Sequence, residues 1–258
     1  MFWDTFILNP MINTLLRIYD LLGNNFGIAI VVFTALIRLI TLPLTFQQQR
    51  STQRMQEMQQ SKRWQEIQKK YKGDKQKQQA ETMKLYQELG INPLAGCLPT
   101  LIQFPIIIGL YQSVTRALAA TPVDLLELSQ HLYSWNPPSL LPLNNHFLWM
   151  NLGQPERLYL PILPTIGIPV LTILVVISTY LQTKLTTPPG ADAQGAQMTR
   201  MMGLYMPFLL GWIAYTLSAG LALYFVASNV LAIAQYAALG KVNWRTLIPG
   251  RAVVSPKS

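Results

Sequence analysis

The stretch FGIAIVVFTALIRLITLPLTF, residues 26–46, decides the fold. It holds one charge, Arg38, and no acidic residue. A helix needs about 20 mostly apolar residues to cross a hydrocarbon core roughly 30 Å thick, so this stretch reads as a membrane span. Four further spans follow at 92–118, 160–182, 201–217 and 218–239. The second opens with Asn92 as a helix cap and Pro93 at the first helical position. The last two share the apolar run Met201–Leu239 and divide near Ser218-Ala219-Gly220, which leaves the fourth close to the minimum of about 17 residues.

Composition agrees with lipid as a major solvent. Half of the 258 residues are hydrophobic and 12% are charged, against about 25% charged in soluble domains. The net charge of +9 would suggest nucleic acid for a soluble protein. For a membrane protein its placement matters more, because Lys and Arg near span ends accumulate on the cytoplasmic side. Ten lie in 47–91: Arg50, Arg54, Lys62, Arg63, Lys69, Lys70, Lys72, Lys75, Lys77 and Lys84. Lys184 and Arg200 lie in 183–200, and Lys241, Arg245, Arg251 and Lys257 in 240–258. These segments alternate so as to share one face of the membrane. The other face holds Arg17, Arg116 and Arg157. The rule therefore predicts an outside N-terminus and an inside C-terminus.

The non-spanning segments carry their own patterns. In 1–25, Met1–Asp4 lacks the basic start of a secretory signal. Asn9–Leu22 reads as an amphipathic helix, with Met11, Leu15, Ile18 and Leu22 at helical spacing. It suits either the membrane interface or a bundle surface. Segment 47–91 reads as a cytoplasmic helical hairpin, Gln47–Tyr71 and Lys75–Leu89 around a turn at Lys72-Gly73-Asp74. Trp64, Ile67 and Tyr71 mark one thin apolar stripe and Leu85 and Leu89 another. Its charges fit a solvated surface, or attraction to anionic headgroups, ribosomal RNA or acidic partners through Lys62, Arg63, Lys69, Lys70 and Lys72. Segment 119–159 is extracytoplasmic, with Trp135, Trp149 and Tyr159 suited to headgroup level. The whole is an all-α polytopic membrane protein: five transmembrane helices, a cytoplasmic hairpin and an N-terminal interfacial helix.

Arg38 is the candidate functional residue. It lies nine residues before Gln47, roughly 13 Å into the membrane. An arginine at that depth costs ~2.5–3.5 kcal/mol on insertion scales and usually faces a bundle interior or a water-filled cavity. Thr34 and Thr41 share its helical face. Gln103, Gln112, Gln182, Asn229 and Gln235 add polar groups to other spans, each also explicable as an interhelical hydrogen bond. No catalytic set emerges. His131 and His146 are the only histidines and have no nucleophile at motif spacing. No carboxylate lies within a span and no phosphate-binding glycine loop is present. Cys97 is the only cysteine, which excludes an intramolecular disulfide and a multi-cysteine zinc site. Enzyme activity, cofactor and metal are not expected. A hydrated cavity around Arg38 open to the cytoplasm is one reading, and a small channel or transporter with an anion site there is the alternative.

Several runs together resemble the YidC/Oxa/Alb family of membrane protein insertases. Gly27-Ile28-Ala29-Ile30, Ile37-Arg38-Leu39-Ile40 and Leu42-Pro43-Leu44 are similar to its first core span. Asn92-Pro93-Leu94-Ala95-Gly96-Cys97-Leu98-Pro99 with Gln103-Phe104-Pro105-Ile106 is similar to its second. Tyr180-Leu181-Gln182, Gln197-Met198, Met206-Pro207, Ala219-Gly220-Leu221, Leu223-Tyr224 and Ser228-Asn229 match the rest, in order, over roughly Asn9 to Leu239. The resemblance implies a hydrophilic groove open to cytoplasm and lipid, with Arg38 attracting acidic residues of a client and Gln182 lining the same groove. Thr34, Thr41, Gln112 and Asn229 are the further groove candidates. Leu174, Tyr180, Leu221 and Phe225 are the candidate slide for the client's apolar helix, with Phe225 where the family often has Trp or Tyr. Implied partners are nascent membrane proteins and membrane lipids, with the ribosome, the signal recognition particle pathway and the Sec translocon as further candidates and no DNA. Strong ribosome binding through the short C-terminal tail is not expected. The implied location is the bacterial cell membrane, with a thylakoid membrane as the alternative. A chaperone that only folds or assembles spans inserted by another machine remains open beside the insertase.

Overall fold

The computed structural model describes residues 2–91, 98–118, 121–136, 143–160, 163–186 and 193–240. They are mostly helical. A π-helical turn, Asp4–Leu8, leads into α1 (Asn9–Leu21), followed by α2 (Phe26–Ile40), α3 (Leu42–Gln60), α4 (Lys62–Lys70), α5 (Lys75–Glu88), α6 (Leu98–Ala117) and α7 (Pro122–Gln130). Four short strands come next: β1 (His146–Phe147), β2 (Met150–Asn151), β3 (Leu158–Leu160) and β4 (Leu163–Ile168). Then come α8 (Val170–Thr186), α9 (Ala193–Thr216) and α10 (Ala219–Ala238). Contacts divide the chain into two compact units, one of Met1–Leu39, Pro105–Pro188 and Gly203–Ser258, the other of Ile40–Phe104 and Pro189–Met202.

The first unit holds the main core. Phe26, Ala29, Ile30 and Phe33 of α2 pack with Leu110 and Val114 of α6, Leu171 and Val175 of α8, and Leu221, Ala222 and Tyr224 of α10. Helix α1 joins this core through Leu15, Leu16, Ile12 and Tyr19, with Leu8 before it. The buried stripe is rotated from the expected one: Leu15 is buried, Met11 and Ile18 are half-buried, and Leu22 is exposed. Asn13, which falls between the expected apolar positions, is fully buried. Its amide donates to the carbonyls of Asn9 (2.8 Å) and His131 (2.9 Å), and its Oδ1 accepts from the Tyr133 N–H (2.7 Å) and the Asn136 amide (2.9 Å). A buried polar group so fully partnered costs little and ties α1 to the segment after α7.

Two expectations change in the segment before α8. The third span was expected as a helix from residue 160, but β3 and β4 form an antiparallel hairpin there and the helix starts at Val170. Pro161, Pro164 and Pro169 each lack the N–H that a helix interior requires. A second antiparallel pair, β1 with β2, precedes it, so the chain is not purely α. Glu156, between the two hairpins, is buried and accepts the Leu171 N–H (2.9 Å) at the start of α8 and the Trp149 indole N–H (2.8 Å). A carboxylate there satisfies an orphan donor and complements the helix dipole.

By length and composition, one described helix, Ala219–Ala238, passes as a membrane span by itself. Phe26–Ile40 with Leu42–Gln60 qualifies only as a broken pair, and Val170–Thr186 is apolar but shorter.

In the second unit the helix expected over Gln47–Tyr71 is interrupted. Ser61 is extended (φ −67°, ψ 145°) and its hydroxyl caps α4 by accepting from the Trp64 N–H at 3.3 Å. Asp74 caps α5 the same way through the Lys77 N–H (3.1 Å). Helices α4 and α5 close on Met58, Trp64 and Leu85, with Ile67, Tyr86 and Ile91 around them. The Trp64 and Tyr86 rings meet edge-on at 6.3 Å between centroids.

Candidate functional site

Helix α2 has two unlike faces. Its start is capped by the Asn25 side chain, which accepts the Ile28 N–H at 3.0 Å. Phe26, Gly27, Ala29, Ile30, Phe33 and Thr34 are buried, whereas Ile28, Val31, Val32, Leu36, Leu39 and Ile40 are exposed. Arg38 lies one turn beyond Thr34, so it continues the buried face and turns away from the apolar exposed one. Its Nη2 donates to the Ser228 hydroxyl of α10 at 2.6 Å.

A second polar seam starts at the next residue of α10. The Asn229 amide donates to Ser178 Oγ (3.0 Å) and Thr179 Oγ1 (2.8 Å), both on α8. Successive helical residues point about 100° apart, so Ser228 and Asn229 engage different neighbours. Gln182, one turn past Ser178 and Thr179, is half-buried on the same helix. The site therefore comprises Arg38, Ser228, Asn229, Ser178 and Thr179, with Gln182 near its margin. Ser228, Ser178 and Thr179 were not expected among its residues. Their signal is faint, because a hydroxyl in an apolar helix usually bonds its own backbone.

The remaining candidates have the following partners. Gln112 accepts the Trp3 indole N–H (2.7 Å), which holds it against the N-terminal turn rather than beside Arg38. Thr34 is buried and spends its hydroxyl on the Ile30 carbonyl (2.6 Å). Thr41 belongs to the second unit, where its carbonyl accepts from Thr45. Of the expected slide, Leu174 and Tyr180 are 42% and 41% exposed on α8. Leu221 and Phe225 are 0% and 5% exposed, because the face of α10 that carries them packs into the core, and they offer a client no free surface. In the second unit Lys62, Lys69, Lys70 and Lys72 are exposed, and Arg63 pairs with Glu88 at 2.7 Å.

Chemically the site offers a planar cation with several donors, suited to a carboxylate. The Ser228 hydroxyl stands beside it. Among the described residues no three His, Cys, Asp or Glu side chains converge on a metal-sized space.

Comparisons with known proteins agree with this architecture. Residues 17–244 match the family described as 60Kd inner membrane protein. The membrane protein insertase MisCA of Bacillus subtilis (strain 168) is 35% identical over 238 residues, covering 91% of this chain and 77% of the relative. The membrane protein insertase YidC of Oceanobacillus iheyensis is 34% identical over 247 residues, covering 93% and 84%. A crystal structure of active YidC insertase with its first transmembrane domain resolved superposes with a TM-score of 0.53 at 29% identity. That match covers 84% of this chain and 42% of the other, so the chain spans less than half the length of that neighbour. The chain belongs to the 60Kd inner membrane protein family, the family of the YidC and MisCA membrane protein insertases.

Proposed function

We propose that this chain is a membrane protein insertase in which Arg38 receives acidic residues of a client segment inside a hydrophilic groove open to cytoplasm and lipid. The observation that carries the reading is the half-buried Arg38, one turn beyond the buried face of α2 and bonded to Ser228 of α10. A guanidinium there is held by a neutral hydroxyl and attracts a carboxylate that enters beside it. Asn229, Ser178, Thr179 and Gln182 supply further donors and acceptors along the groove, and Leu174 and Tyr180 offer the exposed apolar surface along which a client helix passes into lipid.

In this reading five spans place the N-terminus outside and the C-terminus in the cytoplasm of a bacterial cell membrane. The α4–α5 hairpin then stands in the cytoplasm, where Lys62, Lys69, Lys70 and Lys72 draw in nascent chains. The ribosome, the signal recognition particle pathway and the Sec translocon are candidate partners. Burial of the client's apolar helix drives the transfer, so no nucleotide or cofactor is required.

Reconstituted proteoliposomes test this. A single-span client with an acidic N-terminal tail is expected to reach a protease-protected state with the native chain and to do so poorly with Arg38→Ala. Photocrosslinking from position 178 to a stalled client should accompany insertion. Equal insertion by Arg38→Ala, with no crosslink, would overturn the reading. Saturable anion flux that depends on Arg38 would replace it with a transporter.

A further inference from the structure

The β1–β2 hairpin ends in an unusual tip. Its two-residue loop is Leu148-Trp149, between the paired residues Phe147 and Met150. Leu148 has φ +55°, a left-handed conformation, and is 72% exposed. Such loop positions ordinarily take Gly, Asn or Asp, because a side chain branching beyond Cβ crowds the backbone there. Leu148 therefore bears conformational strain with little apolar burial inside the chain to offset it. Trp149 beside it is half-exposed, and its indole N–H is fixed on buried Glu156.

The rest of the hairpin is anchored. Met150 and Leu152 are buried, and Phe147 lies against Gly27 so closely that a Cβ at Gly27 would fall on its ring. The carbonyls of Gln154 and Leu152 accept the first N–H groups of α10, Ala219 (2.8 Å) and Gly220 (2.9 Å). The tip is thus held rigidly at the start of both α2 and α10.

That location names the occupant. Helix α10 has 20 residues, or about 30 Å, the thickness of a hydrocarbon core. When α10 spans a bilayer, its first residues lie at one boundary of that core, and the hairpin that caps them lies at headgroup level. Trp belongs at that depth, its ring in the apolar margin and its N–H satisfied, and a leucine beside it gains by entering the acyl boundary.

We propose that Leu148 and Trp149 form a lipid-interface anchor, a rigid wedge seated among the headgroups and upper acyl chains of the leaflet at the N-terminal end of α10. The inference rests on the membrane reading above and extends the headgroup-level expectation for Trp149 to Leu148 and to the rigid hairpin that holds both. The anchor fixes the depth of α2 and α10, and so the depth of Arg38 in the bilayer.

Depth-dependent quenching tests it. In a Cys97→Ser background, an environment-sensitive fluorophore is attached at Leu148→Cys, at Val230→Cys on the exposed side of α10, or at Gln76→Cys on α5. The protein is reconstituted in phosphatidylcholine–phosphatidylglycerol vesicles carrying nitroxide lipids labelled near the headgroup or near the acyl terminus. Position 148 is expected to be quenched at least twofold more by the shallow nitroxide, position 230 more by the deep one, and position 76 by neither. If 148 behaves like 76 while 230 is quenched, the anchor is wrong and the membrane reading stands. If 148 is shielded from water yet not quenched by lipid, a protein covers the tip and the anchor is again wrong. If 230 is not quenched either, the membrane reading fails and the anchor with it. Leu148→Asn provides a second arm: relief of strain should hold or raise the thermal midpoint in detergent, and a lowered midpoint would show that Leu148 packs within the chain, against the proposal.

Discussion

Ser228→Ala separates two roles for Arg38 that Arg38→Ala confounds. The Ser228 hydroxyl accepts from Arg38 Nη2 at 2.6 Å. Hydrogen bonds to charged groups contribute about 1.5–3 kcal/mol net, so Ser228→Ala should lower fold stability by about that amount, less whatever the guanidinium recovers from water. The positive charge remains. A client carboxylate about 4 Å from the guanidinium interacts by about 1 kcal/mol where water screens it fully and by about 4 kcal/mol at an effective dielectric of 20. At about 1.4 kcal/mol per decade of rate, Arg38→Ala should slow insertion of an acidic-tailed client between roughly fivefold and roughly a thousandfold. Ser228→Ala should change it by no more than about twofold, and Arg38→Lys should fall between. The assay is initial-rate insertion into proteoliposomes, run beside thermal unfolding in detergent, with a client whose tail acids are replaced by amides as the control. The control should erase most of the difference between native chain and Arg38→Ala. Two results would refute the reasoning. One is a loss in Ser228→Ala as large as that in Arg38→Ala, which would make Arg38 a structural tie. The other is an Arg38→Ala defect that persists with the neutral tail, which would remove the electrostatic role.

Three further outcomes follow from the packing. Asn13→Leu strips the Tyr133 N–H, the Asn136 amide and the His131 carbonyl of a buried partner; at about 1–3 kcal/mol per unsatisfied group, the detergent unfolding midpoint should fall and hydrogen exchange at 131–136 should quicken. Gly220→Ala would set a Cβ 2.7 Å from Val114 Cγ1 and 3.2 Å from the Leu152 carbonyl; overpacking of this kind costs about 1–3 kcal/mol, read as a lower thermal midpoint. Trp64→Ala empties the small core shared with Met58 and Leu85, a loss of about 3–5 kcal/mol, and limited proteolysis should then cut within 61–91 while the first unit stays protected.

Much of the architecture is legible because it rests on local signals. A charge in an apolar run marks Arg38, helical spacing of apolar residues marks α1, and Gly73-Asp74 marks the turn before α5. What escapes is set by partners distant in the chain. Asn13 looks like a solvent-facing residue until Asn136, 123 positions away, is brought to it. Ser228 looks like a small residue in a span until Arg38 is brought to it across 190 positions. The start of α8 is misplaced because residues 160–169 are apolar enough for a span, yet their prolines fit an extended hairpin better than a helix. Leu221 and Phe225 show the limit most plainly: hydrophobicity does not tell whether a face meets a client, lipid or its own core, and here the core takes both.

The adjacency of Ser228 and Asn229 has a mechanical consequence for any client. One residue ties α10 to α2 and the next ties it to α8, while Gly220 lets the start of α10 lie against α6 and the β1–β2 segment without a side chain between them. Helix α10 is thus fixed at its start by packing and at its middle by hydrogen bonds in two directions. In the proposed groove, a wall so held would not need to reorganise when a carboxylate arrives, because preorganised donors give up less of their binding energy to reorganisation than groups that must first be ordered. In the proposed reading, the carboxylate competes with the Ser228 hydroxyl for Arg38 Nη2. The Ser228 bond then contributes to the resting position of the guanidinium and to the threshold that a client's charge would have to exceed. On this proposal a single acidic residue is expected to clear that threshold when screening is weak, and a neutral tail is not.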